Sequence, residues 1–327
     1  MRARLTIAAL AGGVLTGAVA AGTAAMAEPP EVAADIAPVH SLVATGMEGA
    51  GEPTLLIAPS RSPHHGALRP STARALASAE IVFRVTPGLA PWLAEATATL
   101  APEAAVVDLI AVPGAMRLHR RDDAMMAAHM DGGHGHGGGH GGDHEDTGAA
   151  TADPHAWLAP ANARVWLSTI AARLAEADPE NAALYRDNAA AARDALARLD
   201  ARLDARLAPV AGVPFAVMHD AFHYLEHGYG LRAVGATTPS EGVEAGPARV
   251  AAMRERLEAA GATCLFVEPQ GDRALAETVA EGTGTRVIML DPIGADETPG
   301  PGLYEAVLSA MAEAMAGCLS EGASERG

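Results

Sequence analysis

Three histidines and one aspartate stand where they could share a metal ion: His64 in LLIAPSRSPHHGALRP, His155 in DPHAWLAP, His219 in FAVMHDAFHYLEH and Asp291 in VIMLDPIG. Three imidazoles and one carboxylate form a tetrahedral donor set suited to Zn2+, with nitrogens about 2.0–2.1 Å from the ion. A second constellation is His219, His223 and His227, at i, i+4 and i+8, which a helix would place on one face. Its order, HYLEH, puts Glu226 in the wrong register for the HExxH of zinc peptidases, so His223 and His227 read more plainly as an exposed helix face. A third is the tract HMDGGHGHGGGHGGDH at 129–144, with His129, His134, His136, His140 and His144. Glycine loses the most entropy on ordering and the tract offers no core, so it can catch ions without discriminating among them by geometry. No G-x-S-x-G, phosphate loop or Cys/His nucleophile pattern occurs, and nothing identifies a catalytic centre.

Positioning the first constellation requires strands. Short apolar runs predict strands at 31–36, 54–58, 80–85 and 104–109, and again at 214–218, 231–236, 263–268 and 286–290. Alanine-rich amphipathic stretches predict helices at 38–48, 70–78, 88–98, 161–177, 220–228, 246–260, 272–282 and 302–319. Strands spaced by helices imply parallel βαβ units. Ligands of open α/β sheets bind beyond the carboxyl ends of strands, where His64, His219 and Asp291 fall and which His155 can reach.

Asp178-Pro179-Glu180 is a helix start, and the pattern then runs to Leu207 with Leu196, Leu199, Leu203 and Leu207 on one stripe. Such a helix would be about 43 Å long, enough to join two lobes as a strut. The expected architecture is α/β: two lobes with parallel sheets flanked by helices, one long rigid helix between them, and the metal site in the cleft. The divisions are a signal peptide at 1–27, an N-terminal lobe at 28–177 interrupted by an insert at 113–152, a linking helix at 178–208 and a C-terminal lobe at 209–327. A single doubly wound domain is the alternative.

The chain opens with Arg2 and Arg4, an apolar run and Ala25-Met26-Ala27, a secretory signal cleaved before Glu28. About 300 residues then remain, more than one compact core usually holds. Of 23 basic residues, all arginine, the signal removes two, leaving 21 against 40 acidic ones. That balance attracts cations and argues against nucleic acid. In an exported protein Cys264 and Cys318 predict a disulfide, which the chain-entropy model credits with about 4 kcal/mol.

SPHHGALRPS, DPHAWLAP, VMHDAFHYLEHGYGL, GATCLFVEPQ and LDPIG, in this order along the chain and with the histidine-rich insert, resemble the zinc-specific periplasmic solute-binding proteins of bacterial ABC importers, the ZnuA-like group. The resemblance implies a monomeric periplasmic receptor that takes Zn2+ in an interlobe cleft and delivers it to an inner-membrane permease. It implies His64, His155 and His219 as imidazole ligands and Asp291 as the carboxylate, and it pairs Cys264 with Cys318. In some zinc members a glutamate just before the first histidine, or a water, fills the fourth place; here Pro63 stands before His64, which adds weight to Asp291 and leaves water as the alternative. His65-Gly66 replaces the acidic and aromatic pair often found after the first histidine, which makes His65 an alternative fourth ligand. Manganese and iron relatives place a glutamate where His219 stands, and nitrogen donors shift preference toward zinc. The tract then serves as a collector that raises zinc supply near the cleft. Two other classes stay open: a zinc storage or chaperone protein, which needs no permease, and a zinc-dependent hydrolase, which needs an open coordination position.

Overall fold

The computed structural model describes residues 28–121, 151–238 and 246–324. The first 27 residues and the tract bearing His129, His134, His136, His140 and His144 lie outside the described residues. The first half runs β1 (Val32–Ala34), α1 (Ala37–Met47), β2 (Thr54–Leu55), α2 (Pro70–Ser78), β3 (Ile81–Arg84), α3 (Pro91–Leu100) and β4 (Ala105–Asp108). Beyond residue 151 come a 3-10 turn (Ala156–Leu158), α4 (Pro160–Ala177) and α5 (Ala182–Leu207). The second half runs β5 (Pro214–His219), α6 (His223–Tyr229), β6 (Arg232–Thr238), α7 (Pro247–Ala260), β7 (Cys264–Val267), α8 (Arg273–Ala280), β8 (Arg286–Met289) and α9 (Leu303–Ser324).

Two four-stranded sheets result, ordered β2-β1-β3-β4 and β6-β5-β7-β8, with every pairing parallel. This is the expected two-lobed α/β fold. In each sheet the chain steps to one side first and then crosses to the other, so the strand order reverses between β1 and β3 and between β5 and β7. A crevice forms above such a reversal, at the carboxyl ends of the strands.

The long helix α5 has 26 residues, about 39 Å at 1.5 Å per residue. Its start differs slightly from the expected one. Asp178 caps a 3-10 turn at Pro179–Asn181 by accepting from the Asn181 amide at 3.3 Å, and the α-helix begins only after it. Tyr185, fully buried, donates to the same Asp178 carboxylate at 2.7 Å and locks the entry. The buried stripe is Leu196, Leu199, Leu203 and Leu207, as the spacing predicts, and it packs with α1, α4 and α9 into a core that takes in residues of both sheets. A smaller core between the second sheet and α7–α8 holds Met218, Val234, Met253, Leu257 and Leu265.

Strand β2 is shorter than the predicted 54–58. It is an edge strand paired only with β1, and its last ladder bonds, Leu56 to Ala34 and Ile57 to Asp35, precede a departure at Pro59 into the loop that carries His64. Strand β5 instead extends to His219 itself, so His219 stands on a strand and only His223 and His227 share helix α6. The disulfide joins Cys264, at the amino end of β7, to Cys318 on α9. Among the described residues no helix is long and apolar enough to cross a membrane.

Candidate metal centre

The three histidines arrive from three directions. His64 rides the loop after β2, held by Trp92 of α3, whose indole N–H donates to the Pro63 carbonyl at 2.9 Å. Gly66 is required there: a Cβ on it would come within 2.4 Å of the Trp92 ring. The Trp92 ring lies directly against Gly66, which makes room for it. His155 precedes the 3-10 turn that opens α4, and its amide bonds to the Asp153 carboxylate at 2.9 Å. Tyr224 of α6 accepts from the Leu118 amide and donates to the Asp153 carbonyl, so the second lobe clamps the His155 segment. His219 ends β5, at the strand-order reversal of the second sheet.

One ligand nitrogen from each of His64, His155 and His219 lies within 4.8 Å of the others. The ring centroids are 5.4 Å apart for His64–His155 and His64–His219, and 5.0 Å for His155–His219. Every Nδ1 is engaged on the far side of its ring: His64 with the Leu89 carbonyl at 3.0 Å, His155 with Asp153 Oδ1 at 2.7 Å, His219 with Glu268 Oε1 at 3.0 Å. An imidazole whose Nδ1–H is held by an oxygen presents Nε2 as a lone-pair donor. The nest is therefore built for Nε2 coordination. Nitrogens bound to one ion at 2.0–2.1 Å lie about 3.4 Å apart when tetrahedral, so loading draws the rings together by no more than about 1.5 Å.

The electrostatics separate the three. Burial, reinforced by the neighbouring His155 and His219, pulls His64 far below the usual imidazole range, so it stands neutral. Burial also pulls on His219, but the Glu268 carboxylate outweighs it and raises this imidazole above its ordinary value. Burial pushes Asp153 up, and its bonds to His155 and His223 outweigh that and hold it well below the carboxylate range.

Asp291 is not within the three-histidine group. Its Oδ1 accepts from the amides of Ile293 and Gly294 at 3.0 and 2.9 Å, and its Oδ2 from Ala295 at 2.5 Å. The turn it caps is nonetheless bound to the His155 segment, since the Trp157 indole, 5.4 Å from the His155 ring, donates to the Pro292 carbonyl at 2.8 Å. His65 is exposed and outside the group. His223 faces Asp153 at 3.5 Å, and His227 is exposed beyond it. His40 is a buried structural residue bonded to the Pro53 carbonyl. His119 pairs with Ala152 in an isolated bridge. Sequence reasoning missed Asp153 and Glu268. Asp153 was signalled by its place two residues before His155, and Glu268 by its place just past β7, the neighbour of β5.

A two-lobed α/β fold with a long helical strut and an imidazole nest in the crevice defines a cleft-type metal-binding protein. The chain belongs to the ZnuA family, described as zinc-uptake complex component A, periplasmic, which it matches over residues 32–318. It is 38% identical over 317 residues to the high-affinity zinc uptake system protein ZnuA of Paracoccus denitrificans (strain Pd 1222), covering 92% of this chain and 96% of that one. To the protein of the same name from Brucella suis biovar 1 (strain 1330) it is 35% identical over 316 residues, covering 92% and 95%. Among solved structures it resembles a crystal structure of ZnuA, with a TM-score of 0.72, 24% identity and coverage of 89% and 99%. It likewise resembles a zinc-bound ZnuA mutant lacking residues 138–173 of its own chain, with a TM-score of 0.70, 24% identity and coverage of 89% and 98%. The fold is shared throughout, and the family binds a solute rather than transforming it.

Proposed function

We propose that this protein captures Zn2+ in the periplasm, after export directed by residues 1–27, and delivers it to an ABC-type permease of the inner membrane. The observation that carries this reading is the convergence of three imidazoles whose Nδ1 atoms are all held from behind. Neutral nitrogen donors favour zinc over manganese. One chain supplies the whole nest.

Asp291 completes the tetrahedron through Oδ2. Oδ1 carries two of the three turn bonds and Oδ2 only one, so rotation toward the ion costs a single bond and leaves the turn capped. Release reverses that step, and the lobes tilt little because α5 braces both. The 129–144 tract collects zinc and raises its supply at the cleft. The stems that flank residues 122–150 support this: the Arg120 amide bonds to the Thr151 carbonyl at 3.2 Å and the Asp153 amide to the Leu118 carbonyl at 2.8 Å, so both stems lie within a few residues of His155.

The test is metal stoichiometry and affinity of the chain from residue 28 onward, with a triple His64→Ala, His155→Ala, His219→Ala variant and a 129–144 deletion. The expected result is one tight zinc lost with the triple variant and kept in the deletion, which binds fewer ions in total. Tight binding that survives the triple variant overturns the assignment. Restored growth of a receptor-deficient strain under zinc chelation checks delivery, and failure there by a zinc-binding protein would favour storage.

A further inference from the structure

Two of the three imidazoles rest on carboxylates and the third on a neutral carbonyl. Asp153 accepts from both the amide and the Nδ1 of His155, and its side chain is 3% exposed. Glu268 accepts from His219 Nδ1, and its side chain is 17% exposed. Among the described residues no arginine forms an ion pair with either one. The nearby Arg121 is committed elsewhere, to Asp220 and to Glu226, the latter at 2.7 Å. Two carboxylates that, among the described residues, face imidazoles and no arginine therefore stand one ring away from the place where a cation must sit. Neutral imidazoles alone bind any borderline-soft cation, and a negative charge behind the ring raises its basicity and attracts a dication twice as strongly as a monocation.

We propose that Asp153 and Glu268 are positioning residues that hold His155 and His219 with Nε2 toward the ion and set the preference of the nest for divalent over monovalent cations. The inference rests on the zinc-capture reading and adds to it the means by which a monovalent soft ion, such as Cu+, is refused. It makes no distinction between Zn2+ and Cu2+, whose charges are equal. The two carboxylates differ in how they act. Asp153 builds the turn as well as facing the ring, whereas Glu268 touches the nest only through its side chain, so Glu268 gives the cleaner measurement.

The experiment compares the mature chain with Glu268→Gln, Asp153→Asn and Glu268→Asp, titrating Zn2+, Cu2+ and Ag+, the last a redox-inert monovalent probe, in competition with chelators. The Co2+ visible spectrum of each variant reports ligand geometry. Loss of such a partner typically costs about 10–100-fold in affinity. Glu268→Gln, which can still accept from Nδ1, is expected to lower Zn2+ and Cu2+ affinity about tenfold and Ag+ affinity less than threefold. Its Co2+ spectrum should keep its shape, and Glu268→Asp should recover part of the loss. Equal losses for all three ions, or unchanged Zn2+ affinity, overturn the proposal. If Asp153→Asn fails to fold, Glu268→Gln decides alone. Should the wild-type chain bind no zinc tightly, the functional reading fails, and that result is distinct from a tight wild type with an unaffected variant.

Discussion

Replacing Asp291 by Asn separates two roles that the carboxylate combines. Asn keeps an oxygen that can accept from Ile293 and Gly294, but it places an amide N–H opposite the Ala295 amide, where Oδ2 now accepts at 2.5 Å. One charge-assisted bond is lost at a half-exposed position, a cost of about 1–2 kcal/mol after allowance for solvent. For a chain of this size that lowers the metal-free Tm by roughly 2–3 °C. The zinc-loaded protein loses a ligand as well. Removing a group that merely supports a ligand costs about 10–100-fold, so losing the ligand itself should weaken zinc by about a hundredfold or more. Binding should persist, because three imidazoles and a water form a stable zinc site. Thermal melts of the metal-free protein and chelator competition for zinc give the two readouts. Zinc affinity within threefold of wild type would refute ligation by Asp291. A metal-free Tm unchanged to within a degree would refute its part in the turn.

Three further outcomes follow from the same geometry. Opening the disulfide by Cys264→Ala with Cys318→Ala frees a 54-residue separation worth about 4 kcal/mol, lowering Tm by roughly 6 °C in thermal melts. Zinc affinity should stay within a few-fold, because the bond lies at the end of β7 opposite Glu268, about 13 Å away along the strand. Zinc binding should release a proton from His219 near neutral pH, since Glu268 holds that imidazole protonated above the ordinary value and only its deprotonated form ligates, whereas His64 is already neutral. Affinity should then fall as pH drops through and below the raised His219 value, and calorimetry in buffers of different ionisation enthalpy counts the proton; a flat profile from pH 8 to 5 would contradict these ligands. Scattering from metal-free and zinc-loaded protein should show no lobe rotation of tens of degrees, because α5 packs against helices of both halves.

The sequence disclosed the site more fully than its supports. His64, His155 and His219 were legible because ligands gather beyond strand ends, and the strands could be read from short apolar runs between alanine-rich helices. The long helix was legible from Asp178-Pro179 and the leucine stripe. The edges of elements were not: Thr54–Leu55 ends early because an edge strand is held from one side only, and β5 runs on to His219 because β6 carries the ladder to the His219–Thr238 pair, past the last pairing with β7 at Val217. Glu268 escaped notice because its importance depends on β7 lying beside β5, which strand order decides and periodicity does not report. Asp153 escaped because an aspartate before a proline reads equally well as an ordinary turn.

Arg121 closes the stem that follows β4, and its guanidinium is buried against Asp220 and Glu226 of the opposite lobe. With Arg120 and Thr151 bonded backbone to backbone, the two stems are riveted side by side at the rim of the crevice. Such a junction is a natural port for a foreign module. A fluorescent domain spliced between the stems would hang from a fixed mount near the three-histidine nest, and exchanging one module for another should leave the underlying scaffold undisturbed.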